Sequence, residues 1–456
     1  MNQGQLKVNS FRFDSLLYTN KDYLLIQNIS NKANKTLKDY IINISSWATP
    51  EKDNILYYSD KENGVPFLRV QNITENWLQL QDVLFITKDV HNWMLKRSIL
   101  KPWNLVMTIT WRLWSCGVIP ESFIWNINQH SVVIDVWWEK IAKMLATYLN
   151  STLWQKIILS KATWWTRPAL DYQAIYSIPV IENFKIVEKM DFALNEKKRK
   201  EREAMKILES IDDFVLWELW IEYREVEEKK IYFLKLSELW ETKRLDPLYN
   251  NPKFLELEKM LKNGKYKIDK IINLLEYYKK WIEVWSNEYI ENWEIPFVRV
   301  SDIDNFWLYF ENCNKFISKA KFEELINYKP QIWEVLFSKD WTIWLSCVAT
   351  DKMNYITSWW ILRLKPNIKI IPEYLQIILS RKIINKLIEQ RSIWAIIKHL
   401  DLDAFESLNL PIPPLNIQEI IASEVKSRIE KAKELEKEAR EIYESAKREV
   451  EVMILE

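Results

Sequence analysis

The chain has 456 residues, 48% hydrophobic and 28% charged, with 64 Lys and Arg against 63 Asp and Glu. This composition is globular and excludes a disordered or histone-like polybasic protein, while leaving room for a local basic patch that meets nucleic acid. The length suffices for about two to four domains. Short β-rich runs come first, at Pro66–Val70 and Val83–Thr87, and Ile141–Leu149 reads as a helix. From Phe184 to Leu216, Val187, Met190, Leu194, Ala204, Leu208, Ile211 and Val215 recur at helical spacing, interrupted by the charged run Lys197–Arg202. β-rich runs return at Val335–Phe337 and Ile361–Leu364. Glu373–Gln390 reads as one helix opened by Pro372. Leu410-Pro411-Ile412-Pro413-Pro414 stops regular structure. From Ile417 onward, Ile421, Val425, Ile429, Ala432, Leu435, Ala439, Ile442, Ala446, Val450 and Met453 step by three or four without Pro or Gly, a coiled-coil seam.

The second half repeats the first. Val65-Pro66-Phe67-Leu68-Arg69-Val70 matches Ile295-Pro296-Phe297-Val298-Arg299-Val300 at an offset of 230, which also carries Trp77-Leu78, Trp103, Trp111 and Trp114 onto Trp307-Leu308, Trp333, Trp341 and Trp344. At an offset of 232, Arg12-Phe13-Asp14 meets Arg244-Leu245-Asp246, Leu170-Asp171 meets Leu402-Asp403, and Ile178-Pro179-Val180 meets Leu410-Pro411-Ile412. The expected organisation is α+β. Two tandem mixed α/β units, residues 1–180 and 221–412, are each followed by a long helix, residues 181–220 and 413–456. The two helices are expected to pair as an antiparallel coiled coil and hold the units apart at its ends.

Tryptophan usage is anomalous. The chain has 25 Trp and only 4 Gly, where average usage gives roughly 32 Gly. Several Trp occupy glycine-like places: Trp47 in Ser-Ser-Trp-Ala-Thr-Pro, Trp341 and Trp344 after Lys339-Asp340, and the doublets Trp137-Trp138, Trp164-Trp165 and Trp359-Trp360. A UGA codon that means glycine in the source organism, translated as tryptophan, produces this pattern. The alternative is a Trp-rich protein that stacks bases or sugars.

Catalytic chemistry finds little support. Cys116, Cys313, Cys347, His91, His130 and His399 show neither metal-ligand spacing nor a nucleophile set. Asn251-Pro252-Lys253-Phe254 lacks the second proline of an N-P-P-[FY] methyltransferase motif, and Trp217-Glu218-Leu219-Trp220 is a poor stand-in for a cofactor loop. No catalytic, cofactor-binding or metal-binding residue is therefore expected in this chain. Met1–Asp14 has no apolar signal core, and no apolar run reaches the roughly 18–20 residues that span a bilayer. The expected location is the cytoplasm.

Ile295–Ile303, Ile332–Leu345 and Ser392–Pro414, set in this tandem arrangement, resemble the specificity subunit of type I restriction–modification systems. The resemblance covers nearly the whole chain. It is weaker in the first half, where Ile178-Pro179-Val180 lacks the double proline and following glutamine of Pro413-Pro414 and Gln418. It implies a non-catalytic reader of double-stranded DNA. Each unit is then a target-recognition domain for one half of a bipartite, asymmetric site, and the helices are a spacer on which two methyltransferase subunits dock. Those partners bring the S-adenosylmethionine, motor–nuclease subunits can join them, and no membrane is involved.

Arg69 and Arg299 occupy equal places in the repeat. They position the chain on phosphate or stabilise a strand end, because residues shared by both units do not discriminate sequence. Base readout belongs where the units differ. One candidate is Lys161, Thr163, Thr166 and Arg167 against Arg391, Ser392, Lys398 and His399. A second is Arg112 with Lys339 and Thr342. The Lys197–Arg202 run is a phosphate contact or a solvated helix face. The segment Asn416–Glu456, with 8 Lys/Arg and 11 Asp/Glu, is a spacer or protein-binding helix. Three other functions stay open: a self-contained enzyme, a protein-binding scaffold, and a specificity subunit of a methylation-only system.

Overall fold

The computed structural model describes residues 21–46, 48–51, 54–74, 77–79, 82–110, 115–121, 123–154, 170–229, 231–233, 246, 249–279, 284, 286–290, 294–339, 344–350, 353–390, 392–393, 399–400 and 402–456. Helices and sheets are mixed, and the chain divides into two units, Met1–Arg202 with Leu435–Glu456, and Glu203–Glu434.

In the first unit the strands are β1 (Ile41–Ser45), β2 (Tyr58–Ser59), β3 (Val65–Leu68), β4 (Leu84–Ile86), β5 (Ile99–Leu100), β6 (Leu105–Thr108), β7 (Cys116–Val118), β8 (Trp125–Ile127) and β9 (Ser131–Val136). Helix α1 (Glu139–Leu149) and the start of α2 (Lys185–Glu218) follow. One sheet has the order β7-β6-β9-β1, all antiparallel. The other has the order β2-β4-β3-β8-β5, with β3 and β8 parallel. Strand alternation divides the core. Leu105, Met107, Val132 and Ile134 face the helices, and Val106 and Val133 join Leu68, Leu100 and Ile127 between the sheets.

The second unit contains α3 (Pro252–Lys262), β10 (Leu275–Lys279), β11 (Ile295–Val298), β12 (Phe316–Ile317), β13 (Val335–Ser338), β14 (Ser346–Val348), β15 (Ile356–Thr357) and β16 (Ile361–Pro366). After them come α4 (Pro372–Leu379), α5 (Lys382–Gln390) and α6 (Leu415–Leu455). Its antiparallel sheet, β14-β13-β16-β10, repeats the order of the first unit strand for strand. The parallel pairs share a register too: Phe67 faces Asn126 and Phe297 faces Ile356, each partner displaced by 230.

The long helices complete these cores. In the first unit Val187, Met190 and Leu194 of α2 pack in one cluster with Tyr443, Ala446, Val450 and Ile454 of α6. The ion pairs Lys189–Glu449 and Lys200–Glu438 show the two segments running antiparallel. In the second unit Ile211 and Val215 pack with Ile421, Val425 and Ile429, and Arg428 donates to the Ser210 carbonyl at 3.0 Å. The expected seam residue Leu208 is instead 41% exposed. The inward step from Ala204 passes through the half-buried Ile207.

The single helix expected over Glu373–Gln390 is two, α4 and α5. The Ser380 hydroxyl and the Arg381 Nε both donate to the Ile377 carbonyl, at 2.8 and 3.0 Å. That carbonyl also accepts from the Ser380 amide at 3.1 Å, and the Arg381 amide turns to Ile378 at 3.2 Å. The Asn251-Pro252-Lys253-Phe254 motif is a helix start. The Asn251 side chain accepts from the Lys253 amide at 3.1 Å, Pro252 opens α3, and Phe254 is buried.

One buried ion pair is present in the second unit and has no counterpart in the first. Arg363 on β16 and Glu334 are 1% and 0% exposed and bind in two-pronged fashion, with Nη2 to Oε1 at 2.7 Å. Tyr277 donates to the same carboxylate at 2.7 Å, and the Gln331 amide does so at 2.8 Å. Burial first, then this carboxylate, pushes the Tyr277 hydroxyl up to about 12. At the matching places the first unit has Val133 and Asn104. Asn104 keeps the turn bond, accepting from the Lys101 amide at 2.7 Å, and turns its amide to Asp135. Removing one partner of a buried pair strands the other charge, at a cost of about 3–5 kcal/mol. Arg363→Val therefore lowers the unfolding free energy of the second unit, read from urea denaturation, by that amount. The double variant Glu334→Asn/Arg363→Val, which copies the first unit, recovers most of the loss.

Candidate functional site

The turns at one edge of each four-stranded sheet are anchored by short polar side chains. In the first unit the Thr108 amide donates to the Ser115 carbonyl and the Ser115 amide to the Thr108 hydroxyl, both at 3.0 Å. They close the connection that carries Arg112. Beside it the Ile109 amide donates to the His130 carbonyl at 2.9 Å, and the Thr110 hydroxyl pairs with His130 Nδ1 at 2.7 Å. The Leu170 amide donates to the Ile109 carbonyl at 3.3 Å. The described end of the stretch that holds Lys161, Thr163, Thr166 and Arg167 is thereby fixed next to the Arg112 connection. These two sequence candidates, chosen separately, have their roots on one edge. Lys161, Thr163, Thr166, Arg167 and Arg112 themselves lie outside the described residues.

In the second unit the same edge is built by Ser338. Its amide donates to the Leu345 carbonyl at 2.9 Å, and its hydroxyl accepts from the Leu345 amide at 2.8 Å. The Lys339 amide donates to the Trp360 carbonyl at 2.9 Å. Lys339 is 9% exposed, with its ammonium 4.2 Å from the centre of the Trp359 ring. The candidate stretch with Ser392 and His399 forms a small antiparallel ladder, with Ser392 opposite Leu400 and Ile393 opposite His399. It leads into Phe405, whose ring stacks on Phe337 of β13 at 5.4 Å. Arg391, Lys398 and Thr342 lie outside the described residues.

Thr110 and His130 lie on this edge and were not among the candidates drawn from the sequence. Their counterparts at the 230 offset are Asp340 and Trp360. A residue-by-residue comparison of the turns flanking matched strands is the signal that finds them.

The shared arginines have a different character. Arg69 donates through Nη2 to the Asp82 carbonyl at 2.7 Å, and Arg299 donates to the Asn314 side chain at 2.5 Å. Their amides bond to Asn72 and Asp302, at 2.9 and 2.8 Å. Each ties the turn after β3 or β11 to a neighbouring segment. Within Lys197–Arg202, Arg199 pairs with Glu196 at 2.9 Å and Lys200 with Glu438. These contacts are those of a helix surface and a helix pair.

Burial pushes the Cys313 thiol up to about 12 and the thiols of Cys116 and Cys347 well above their ordinary value. None is a thiolate nucleophile near neutral pH. The buried His91 is spent on Asn126, which itself donates to the Leu95 carbonyl at 2.9 Å. Among the described residues no helix is long and apolar enough to cross a membrane.

Residues 240–442 match the family model of the type I restriction modification DNA specificity domain. The match is confined to this stretch, which takes in most of the second unit and part of α6. Three solved type I structures are similar to the chain. One, from a study of complex assembly and conformational transition of the type I restriction–modification system, is 11% identical, with 92% of this chain and 95% of that chain covered and a TM-score of 0.43. The S subunit from M. genitalium is 11% identical, with coverage of 93% and 96% and a TM-score of 0.41. The HsdS subunit from Thermoanaerobacter tengcongensis is 12% identical, with coverage of 92% and 94% and a TM-score of 0.33. No curated protein matches the chain.

The contacts of the paired arginines are those of structural residues, and this can be measured. Arg69→Ala and Arg299→Ala each lower the unfolding free energy by the roughly 0.5–1.5 kcal/mol that one intramolecular hydrogen bond contributes, read as a lower thermal midpoint. Both leave the salt dependence of DNA affinity unchanged. A shallower salt slope in either variant makes that arginine a phosphate contact instead.

Proposed function

We propose that this chain is the DNA-reading subunit of a type I restriction–modification complex and performs no catalysis itself. Each unit reads one half of a bipartite asymmetric site. The helices α2 and α6, paired as an antiparallel coiled coil, set the spacing and dock two methyltransferase subunits. S-adenosylmethionine belongs to those subunits, and motor–nuclease subunits join the same assembly. One observation carries the reading: both units have the same sheet order and strand register, yet the turns at one edge differ in their polar residues. A shared frame with unlike tips is what two readers of unlike half-sites require. Thr110 and His130 in the first unit, with the stretches around 161–167 and 391–399, are the base-reading elements. An imidazole and a hydroxyl hydrogen-bond base edges, and the arginines in these stretches suit guanine O6 and N7.

The test is co-expression with a type I methyltransferase subunit in an unmethylated host, followed by mapping of modified bases. The expected result is methylation at one bipartite motif, of which only one half changes when residues 1–180 are exchanged for those of another specificity subunit. His130→Ala relaxes recognition in that same half and leaves the other intact. Two folded, copurifying proteins that leave the genome unmodified would indicate a scaffold.

A further inference from the structure

The tryptophan anomaly has a counterpart in the backbone. Five described residues other than glycine have positive φ, and three of them are tryptophans: Trp103 at 66°, Trp220 at 56° and Trp333 at 71°. None of the described glycines has positive φ. Glycine adopts this region freely, whereas a side chain there crowds the following carbonyl.

Each of the three sits where turn chemistry demands glycine. Lys101-Pro102-Trp103-Asn104 closes with the Asn104 amide on the Lys101 carbonyl at 3.1 Å. Proline precedes a positive-φ residue, the arrangement of a type II turn, whose third position is glycine. Gln331-Ile332-Trp333-Glu334 repeats this turn with a closing bond of 3.2 Å. Trp220 follows the end of α2. Its amide bonds to the Trp217 carbonyl at 3.0 Å, and the Ile221 amide reaches back to Leu216 at 2.9 Å. Those two bonds define a Schellman cap, with the left-handed residue at Trp220, the usual place of glycine. The indoles of Trp220 and Trp333 are 67% and 55% exposed and add little packing, while the half-buried indole of Trp103 lies against the edge of the first unit's core. Trp125 is the contrast. It lies in strand β8, is 5% exposed, meets Phe123 edge-on at 4.6 Å, and takes the place of the buried Tyr355 in the second unit.

We infer that positions 103, 220 and 333 are glycine in the protein as its own cells make it, one codon being decoded there as glycine, while position 125 is tryptophan. The turn at 333 presents Glu334 to Arg363, so this glycine is also what the buried ion pair is built on.

Peptide masses of the protein purified from its own cells test this directly. Glycine at 103, 220 and 333 with tryptophan at 125 is expected, and tryptophan at the first three positions overturns the inference. A second measurement uses the chain as printed, expressed under the standard code with tryptophan codons. Trp103→Gly, Trp220→Gly and Trp333→Gly each raise the thermal midpoint, by about 2–4 °C for a unit of this size, whereas Trp125→Gly lowers it. Three variants that leave the midpoint unchanged or lower it contradict the strain on which the inference rests.

Discussion

The helix-facing side of the first unit's sheet is covered by residues from the far end of the sequence. Leu105, Met107, Val132 and Ile134 face this side, and Tyr443, Ala446, Val450 and Ile454 help to bury it. A fully buried large apolar side chain contributes about 1.5–3 kcal/mol relative to an exposed one, so this closure is a major part of the unit's stability. Much of the architecture follows from it. The chain must return on itself, α6 must run antiparallel to the start of α2, and both helices must be long and free of breaks. The ion pairs Lys189–Glu449 and Lys200–Glu438 have exposed members. Such pairs contribute little energy and serve mainly to select the register.

Apart from the buried Glu334–Arg363 pair of the second unit, the two units share much of what holds them. The order of the four-stranded sheet, the parallel strand pair, the turn closed at residue 104 or 334, and the arginine at 69 or 299 recur at one offset. Where they part company is the edge bearing Thr110 and His130 in one unit and Lys339 and Trp360 in the other. A rigid frame with variable turns lets new side chains at the tips leave the core untouched, as the proposed function requires.

The repeat was legible because strands that pair in register keep their apolar alternation, and Val65–Val70 and Ile295–Val300 do so without insertion. The long helices were legible from their seam. The break at Ser380-Arg381 was not, because both residues fit a helical pattern and the interruption comes from side chains turning back on one carbonyl. Nor was the Glu334–Arg363 pair, since a single charge in a β run reads as a solvent-facing position until its partner strand is known. At the candidate site, sequence singled out stretches that differ between the units, and it held no sign that Leu170 and Ile109 are neighbours. That neighbourhood depends on the Leu170–Ile109 bond, which joins residues far apart in the chain.

The same buried pair bears on how such a protein can change over generations. Genetic exchange between the two halves, or with a related gene, redistributes segments without regard to chemistry. A crossover between positions 334 and 363 delivers the carboxylate without the guanidinium, or the reverse, leaving an unpaired charge between two sheets. The first unit, with Asn104 and Val133 at these places, is a compatible donor only when it supplies both positions together. Surviving recombinants should therefore inherit 334–363 as one block, with their breakpoints before β13 or after β16.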